Sequence, residues 1–85
     1  MGEVEVEVEA LAQALKEALG GAVVVGAARG ARAATSVGYP ISRRGLSLAI
    51  EAGALPARRR HDGGHLLMSV DDLAAYLIGR PVGGR

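Results

Sequence analysis

Residues 42–57, SRRGLSLAIEAGALPA, carry both a helix start and a helix stop, and this pair of signals constrains the fold more than any other feature of the sequence. Ser42 is a favourable N-cap residue, because its hydroxyl can accept a hydrogen bond from a free N–H group of the first helical turn. Three apolar residues then recur at helical spacing on one face: Leu46, Ala49 and Ile50. Gly53 stands where a glycine in the left-handed conformation ends many helices, and Leu55-Pro56 turns the chain back. The segment therefore predicts one short amphipathic helix with defined ends.

The opposite face of this predicted helix carries Arg43, Arg44 and Ser47, close to its N-terminal end. Two cations and a hydroxyl at that end match what a recognition helix presents to base edges and phosphates in the major groove of DNA. Together with Ser42, these residues are candidates for contacts with duplex DNA.

The formal charge of +1 conceals a strong asymmetry along the chain. Residues 1–19 contain five Glu and one Lys, whereas residues 29–60 contain seven Arg and one Glu. A basic excess confined to the part of the chain that holds the amphipathic helix is the charge pattern expected for phosphate contact. Nine of the ten basic residues are Arg, which suits bidentate phosphate and guanine contacts better than Lys. A general compositional bias would explain the preference for Arg, but not its clustering.

From residue 42 onward the sequence resembles the winged helix-turn-helix domains of the MerR-like and excisionase type. The matching positions are Ser42, Leu46, Ile50, Gly53, Leu55, Pro56 and Ala57, then an Arg-rich segment ending in Gly63-Gly64, then Asp72-Leu73 and Tyr76-Leu77. Upstream, residues 33–34, residues 37–38 and Ile41 resemble the end of the first helix and the turn, so the resemblance spans about residues 31–78. Two positions depart from the family: Tyr39-Pro40 lengthens the turn, and Gly45 replaces a larger residue. The resemblance implies a mainly α-helical fold with a small β-wing that binds duplex DNA.

Residues 57–68, ARRRHDGGHLLM, predict the wing, a β-hairpin whose tight turn is Asp62-Gly63-Gly64. In the family that the chain resembles, the wing lies along the phosphate backbone or over the minor groove. Four residues are therefore candidates for DNA contact: Arg58, Arg59, Arg60 and His65. The alternatives are that the arginine run is a solvated face and that His65 is simply exposed. His61 and His65 have only Asp62 as an acidic neighbour, so no metal is expected.

Residues 3–9, EVEVEVE, alternate valine with glutamate, which predicts a β-strand. The valines that would share one face are Val4, Val6 and Val8. A strand needs a partner, and residues 22–25 of the same chain are one candidate.

Residues 10–19 change to helical periodicity, which predicts a helix that Gly20-Gly21 ends. Its apolar row consists of Leu11, Leu15 and Leu19. This row is expected to pack in the core or in a dimer. Two arrangements therefore stay open for the acidic N-terminal segment: self-association, or packing on its own domain.

Residues 23–33, VVVGAARGARA, resemble the strand, glycine-rich turn and helix with which short-chain dehydrogenases bind a dinucleotide. However, Arg32 replaces the third glycine, only 55 residues follow Gly30, and no acidic residue is placed to hold a ribose. The preferred interpretation is a short strand over residues 22–26 and an Ala-rich helix over about residues 27–37 that packs closely under the recognition helix. No cofactor is therefore expected.

Residues 69–72, SVDD, predict the start of a last helix, with Ser69 as its N-cap and acidic residues near the positive end of the helix dipole. The apolar face of this helix consists of Val70, Leu73, Ala74 and Leu77. Tyr76 is expected at the edge of the core, and the tail from Gly79 is expected to be flexible.

The length and composition exclude several classes of protein. A chain of 85 residues has room for one small domain, whose core supplies a net stability of about 3–5 kcal/mol, so an oligomer or a bound partner is expected. There is no Cys for a disulfide framework or a thiolate metal site. The longest apolar run, residues 22–28, is shorter than the roughly 20 residues of a membrane helix, and the N-terminus is acidic where a signal peptide is basic. A cytoplasmic, nucleoid-associated protein is expected.

The sequence thus predicts an acidic N-terminal extension over residues 1–26, a winged helix-turn-helix domain over residues 27–78 and a flexible tail over residues 79–85. The expected function is sequence-biased binding of double-stranded DNA, as a recombination accessory factor beside a recombinase or as a small regulator beside the transcription machinery. A homo-oligomer would form through the N-terminal segment. No Ser/His/Asp set, carboxylate pair or nucleotide loop indicates an enzyme. Two alternatives remain: a protein-interaction subunit that uses the same fold without DNA, and a dehydrogenase-like fragment.

Overall fold

The computed structural model describes residues 3–59 and 66–79, with side chains from residue 5 onward. Within these residues the chain forms four helices and a small three-stranded antiparallel sheet. In chain order the elements are α1 (Glu3–Ala18), β1 (Val24–Gly26), α2 (Ala27–Ser36), α3 (Arg43–Glu51), β2 (Arg58–Arg59), β3 (Leu66–Ser69) and α4 (Val70–Gly79). The prediction of a mainly α-helical fold with a small β-element is confirmed at this level.

The N-terminal residues form a single helix, so the predicted strand over residues 3–9 is wrong. Helical spacing places Val8 one turn before Leu11, and both side chains pack in the core. Val6 faces the solvent and is 62% exposed. Glutamate favours helices, and β1 pairs with β3 rather than with the N-terminal residues. The alternative pairing of the valines with residues 22–25 is therefore also wrong.

The leucine row of α1 is buried against α4 of the same chain. The row consists of Leu11, Leu15 and Leu19, which belong to the same buried cluster as Leu73 and Leu77 of α4. Lys16 Nζ lies 3.3 Å from Asp71 Oδ1, an ion pair that is largely exposed on the Asp71 side and adds little to stability. Gly20-Gly21, with φ angles of 71° and 92°, follows the helix end as predicted. The core is thus continuous across the predicted boundary between residues 26 and 27.

β3 is the central strand of the sheet and pairs antiparallel with both of the others. On one side Val25 of β1 lies opposite Met68, and both side chains are buried in the core. On the other side lies β2, in the register Arg58↔Leu67 and Arg59↔Leu66. β2 and β3 are the two strands of the predicted hairpin, whereas its predicted turn, Asp62-Gly63-Gly64, lies outside the described residues.

α2 is built from small residues and packs closely against α3. Gly30 is buried, and a Cβ at this position would meet three side chains: Val25 Cγ1 at 3.4 Å, Leu46 Cδ1 at 3.5 Å and Leu73 Cδ2 at 3.5 Å. The glycine therefore allows α2 to pack closely on α3, as predicted. It lies among apolar side chains and not at an open surface that a pyrophosphate could approach.

Both ends of α3 have the local structure that the sequence predicts. Ser42 Oγ accepts a hydrogen bond from the Gly45 N–H at 2.9 Å. At the other end Gly53 has a φ of 80°, and its N–H group and the next one donate to carbonyls of the last helical turn. This Schellman motif ends the helix and leads directly to Leu55, which is buried.

The turn between α2 and α3, residues 37–42, contains Tyr39-Pro40 and is held by Thr35. The Thr35 Oγ1 accepts a hydrogen bond from the Ile41 N–H at 3.4 Å and lies 3.3 Å from the Ile41 carbonyl oxygen, to which it donates. The Ile41 side chain then covers Gly45, where an added Cβ would lie 3.0 Å from Ile41 Cγ1. The turn thus accounts for the glycine, because Ile41 leaves little space for a side chain at residue 45.

α4 begins at the predicted cap, since Ser69 Oγ accepts a hydrogen bond from the Asp72 N–H at 2.9 Å. Its predicted apolar face is buried: Val70, Leu73, Ala74 and Leu77. Tyr76 is half-buried at the edge of the core, as expected. Gly79 is the last residue of α4 and not part of a tail, and residues 80–85 lie outside the described part of the chain.

None of the described helices has the length and apolar character needed to cross a membrane.

Candidate nucleic-acid interface

The N-terminal end of α3 presents four of the predicted contact residues. Ser42, Arg43 and Arg44 are exposed, and Ser47 is half-buried one turn further along. The Ser42 oxygen already accepts the capping hydrogen bond from Gly45, while its O–H group can still donate to a ligand. Ser42 therefore has a structural role in addition to any contact it makes.

An open groove of about 650 Å³ lies between α2, α3 and the sheet. Arg43 and Ser47, one helical turn apart, line it from α3, and Arg59 lines it from β2. Arg29, in the first turn of α2, lines the same groove. Apolar residues of β1 and β3 complete its lining. We name this feature, lined by Arg29, Arg43, Ser47 and Arg59, the arginine groove.

The electrostatic character of the arginine groove is strongly basic. No acidic side chain is found among the described residues that line it. Arg29 and Arg43 are exposed, and neither is paired with a carboxylate of the described residues. The positive charge is therefore available to attract an anion to this surface.

Arg44 does not line the arginine groove. Helical spacing places it in an exposed row of α3 with Leu48 and Glu51, beside the row of Arg43 and Ser47. Leu48 is 50% exposed. Leu48 and Glu51 were not predicted as part of this face, although their spacing from Arg44 in the sequence indicates it.

The two arginines of β2 differ in the grooves that they line. Arg59 lines the arginine groove, whereas Arg58 does not. Both arginines line a second open groove, of about 790 Å³, together with Leu67 and Asp72. The prediction treated these arginines as one group, but only Arg59 lines both grooves.

Two of the predicted contact residues, Arg60 and His65, lie outside the described residues. Their contacts with DNA therefore remain predictions. Within residues 3–59 and 66–79, no group of three His, Cys, Asp or Glu residues is placed to hold a metal ion.

Arg29 was not among the contact residues predicted from the sequence. Its place in the arginine groove depends on the packing of α2 beside α3 and the sheet, which a linear pattern does not show. One signal was available: a basic residue in the first turn of a helix that directly follows a strand. Such a residue lies beside backbone N–H groups that favour anions.

Comparisons with protein-family models, with curated proteins and with solved structures gave no match for this chain. The layout of charged residues is therefore what bears on function, and the arginines and the glutamates lie mostly on different elements. The arginine groove belongs to α2, α3 and β2, whereas α1 carries four exposed glutamates: Glu5, Glu7, Glu9 and Glu17.

Proposed function

We propose that the protein binds duplex DNA through a winged helix-turn-helix arrangement of the MerR-like and excisionase type, without catalysis. The observation that carries the proposal is that Arg43 and Ser47 of α3 and Arg59 of β2 line one groove. Basic groups at the start of a helix and on a neighbouring strand form a continuous surface that suits a phosphate backbone.

In this proposal α2, the turn over residues 37–42 and α3 form the helix-turn-helix, and β2 with β3 forms the wing. The N-terminal end of α3 enters the major groove, where three residues reach base edges and nearby phosphates: Arg43, Arg44 and Ser47. Ser42 donates its hydroxyl hydrogen to a phosphate. The residues of the wing that follow the backbone are Arg58, Arg59, Arg60 and His65.

The distribution of charge supports one orientation on the duplex. The exposed glutamates of α1 lie on the helix that packs against α4, while the arginines lie on α2, α3 and β2. Repulsion between the phosphates and α1 favours an approach in which the arginine groove faces the DNA. The same field would speed the association of protein and DNA at low salt.

Two roles fit such a module: a recombination accessory factor that acts beside a recombinase, and a small regulator that acts beside the transcription machinery. Both place the protein on DNA in the cytoplasm. Pairing of two copies would supply affinity that a single small module lacks.

A protein-interaction role without DNA is the second candidate. It is favoured by exposed apolar residues on and beside β1, where Val23 is 60% and Val24 is 47% exposed. Val24 shares the second groove with Leu67, so the apolar surface continues onto β3.

Fluorescence anisotropy with labelled duplexes over a series of salt concentrations tests the proposal. If about five phosphates are neutralised, the slope of log affinity against log salt should be about −4 to −5. The double variant Arg43→Ala/Arg59→Ala should lose most of its affinity. Arg32→Ala is a matched control, because Arg32 is exposed on α2 but does not line the arginine groove. A slope shallower than about −2, or no binding at low salt, would contradict DNA binding by this surface and favour the second candidate.

A further inference from the structure

We infer that the arginine groove holds one phosphate group of the DNA backbone, contacted by Arg29, Arg43 and Arg59, with the Ser47 hydroxyl as an additional donor. The inference rests on the proposed function. It adds to that function a defined anchoring site and a contact residue, Arg29, that lies outside the helix-turn-helix surface predicted from the sequence.

Convergence of charge from three elements is the first argument. Arg29 comes from the first turn of α2, Arg43 from the first turn of α3, and Arg59 from β2. These residues are distant in sequence, so the fold and not a local charge run brings them to one groove. Three cations that line one groove all attract an anion bound there, and the anion offsets the repulsion between them.

The chemistry of the lining favours a phosphate in particular. Each guanidinium group offers parallel N–H donors that match two oxygens of a phosphate, and none of the lining residues that the structure describes is acidic. Val25 is buried and Leu66 and Leu67 are half-buried along the same groove. Apolar walls reduce the local screening by water, which strengthens the attraction between the charges.

The backbone of α2 also attracts an anion, although more weakly than the arginines do. Gly26, Ala27 and Ala28 line the groove, and the N-cap residue Gly26 supplies no side-chain hydrogen bond to the first turn. The free N–H groups of that turn add partial positive charge on the side of the groove that Arg29 occupies.

A phosphate held in this groove would position α3. It would lie beside the row of Arg43 and Ser47, and the next row of the same helix begins with Arg44. Contacts to a phosphate carry no base information, but they set the register in which neighbouring side chains meet the bases. Arg29 is therefore a positioning contact that strengthens binding to every sequence.

The first experiment compares Arg29→Ala with Arg32→Ala, both on the exposed surface of α2. Arg29→Ala should bind preferred and scrambled duplexes roughly tenfold more weakly, and its salt slope should be less steep by about one. Arg32→Ala should resemble the wild type in both respects, and Arg29→Lys should recover part of the affinity because it keeps the charge without the planar fork. Circular dichroism shows whether each variant is folded.

The second experiment locates the phosphate with duplexes that carry one neutral methylphosphonate at successive positions. The wild type should lose affinity most strongly at one position per binding site, and Arg29→Ala should show no such loss there. If the wild type binds duplex DNA but Arg29→Ala behaves as Arg32→Ala does in both experiments, the inference is wrong while the proposed function stands. If the wild type does not bind duplex DNA at low salt, both are wrong.

Discussion

Gly30 of α2 faces Leu46 of α3 so closely that a Cβ added to the glycine would lie 3.5 Å from Leu46 Cδ1. The same atom would lie 3.4 Å from Val25 Cγ1 and 3.5 Å from Leu73 Cδ2. One methyl group would therefore make ordinary van der Waals contacts with three neighbours, whereas a longer side chain would find no room. Through this glycine, α2, α3, α4 and β1 come into mutual contact.

Gly30→Ala is expected to raise the free energy of unfolding by about 0.5–1 kcal/mol, because alanine favours a helix interior and its methyl group fits. Gly30→Leu should lower it by about 1–3 kcal/mol through overpacking. Urea unfolding followed by circular dichroism measures both changes. A clear loss of stability in Gly30→Ala would show that the helices cannot accept even one methyl group.

Leu15→Ala is expected to destabilise the protein by about 2–5 kcal/mol, because Leu15 is fully buried between α1 and α4. That loss is comparable to the whole stability of about 3–5 kcal/mol for a domain of this size, so the variant should be largely unfolded. The control is Val6→Ala on the exposed side of the same helix, which should change stability by less than about 0.5 kcal/mol.

Deletion of residues 1–19 removes the whole contact between α1 and α4. The domain boundary predicted after residue 26 implied that the chain would still fold and contact DNA without these residues. Because the leucine row is buried against α4, the deletion uncovers Leu73 and Leu77. The truncated chain is therefore expected to be unfolded. A folded truncation by circular dichroism would show that α1 is not required for the core.

Ser42 allows the structural and the binding role of one residue to be separated. Ser42→Ala should lower the free energy of unfolding by about 1 kcal/mol, because the Gly45 N–H loses its acceptor. Ser42→Asp should keep the cap and the stability, yet weaken DNA binding, because it places a negative charge beside Arg43. Urea unfolding gives the stability of the two variants, and fluorescence anisotropy gives their affinity for DNA. Equal DNA affinity in Ser42→Asp and the wild type would place Ser42 outside the interface.

Arg44 and Arg59 are expected to contribute differently to DNA recognition. Arg44 lies in the exposed outer row of α3, so Arg44→Ala should cost about 1–3 kcal/mol on a preferred duplex and much less on a scrambled one. Arg59 lines the arginine groove, so Arg59→Ala should weaken binding to both duplexes by a similar factor. Competition between the preferred and the scrambled duplex measures the ratio of the two affinities for each variant. The same ratio in both variants would rule out this division between base readout and anchoring.

The helix ends were predictable from the sequence because each depends on a few neighbouring atoms. Ser42 and Ser69 accept hydrogen bonds from N–H groups three residues further on, and Gly53 adopts the positive φ that ends α3. These interactions are local, so a sequence pattern contains all that they require.

The N-terminal helix was not predictable from the alternation of Val and Glu, because two periods fit the same residues. Val8 is one turn before Leu11 in a helix and would alternate with glutamate in a strand. A strand also requires a partner from elsewhere in the chain, and β1 is paired with β3. The choice is therefore made by long-range packing and not by residues 3–9 themselves.

The candidate site was predictable only in part for a similar reason. The helical spacing of Arg43 and Ser47 places them together from sequence alone, whereas Arg29 joins them through the packing of α2. That Arg59 lines the arginine groove and Arg58 does not depends on where β2 begins, which the sequence did not define to one residue.

The β1–β3 ladder joins residues 24–26 to residues 67–69, and α1 is covered by α4. During synthesis on the ribosome, neither contact can form completely before β3 and α4 have emerged. The contact between α2 and α3 can form earlier, because both helices precede β3 in the chain. In that interval the leucines of α1 lack the cover that α4 gives them in the folded protein. The exposed glutamates of α1 include Glu5, Glu7, Glu9 and Glu17. Their negative charge opposes aggregation with other incompletely folded chains. The acidity that would turn α1 away from DNA in the proposed function thus also opposes aggregation before the chain is folded.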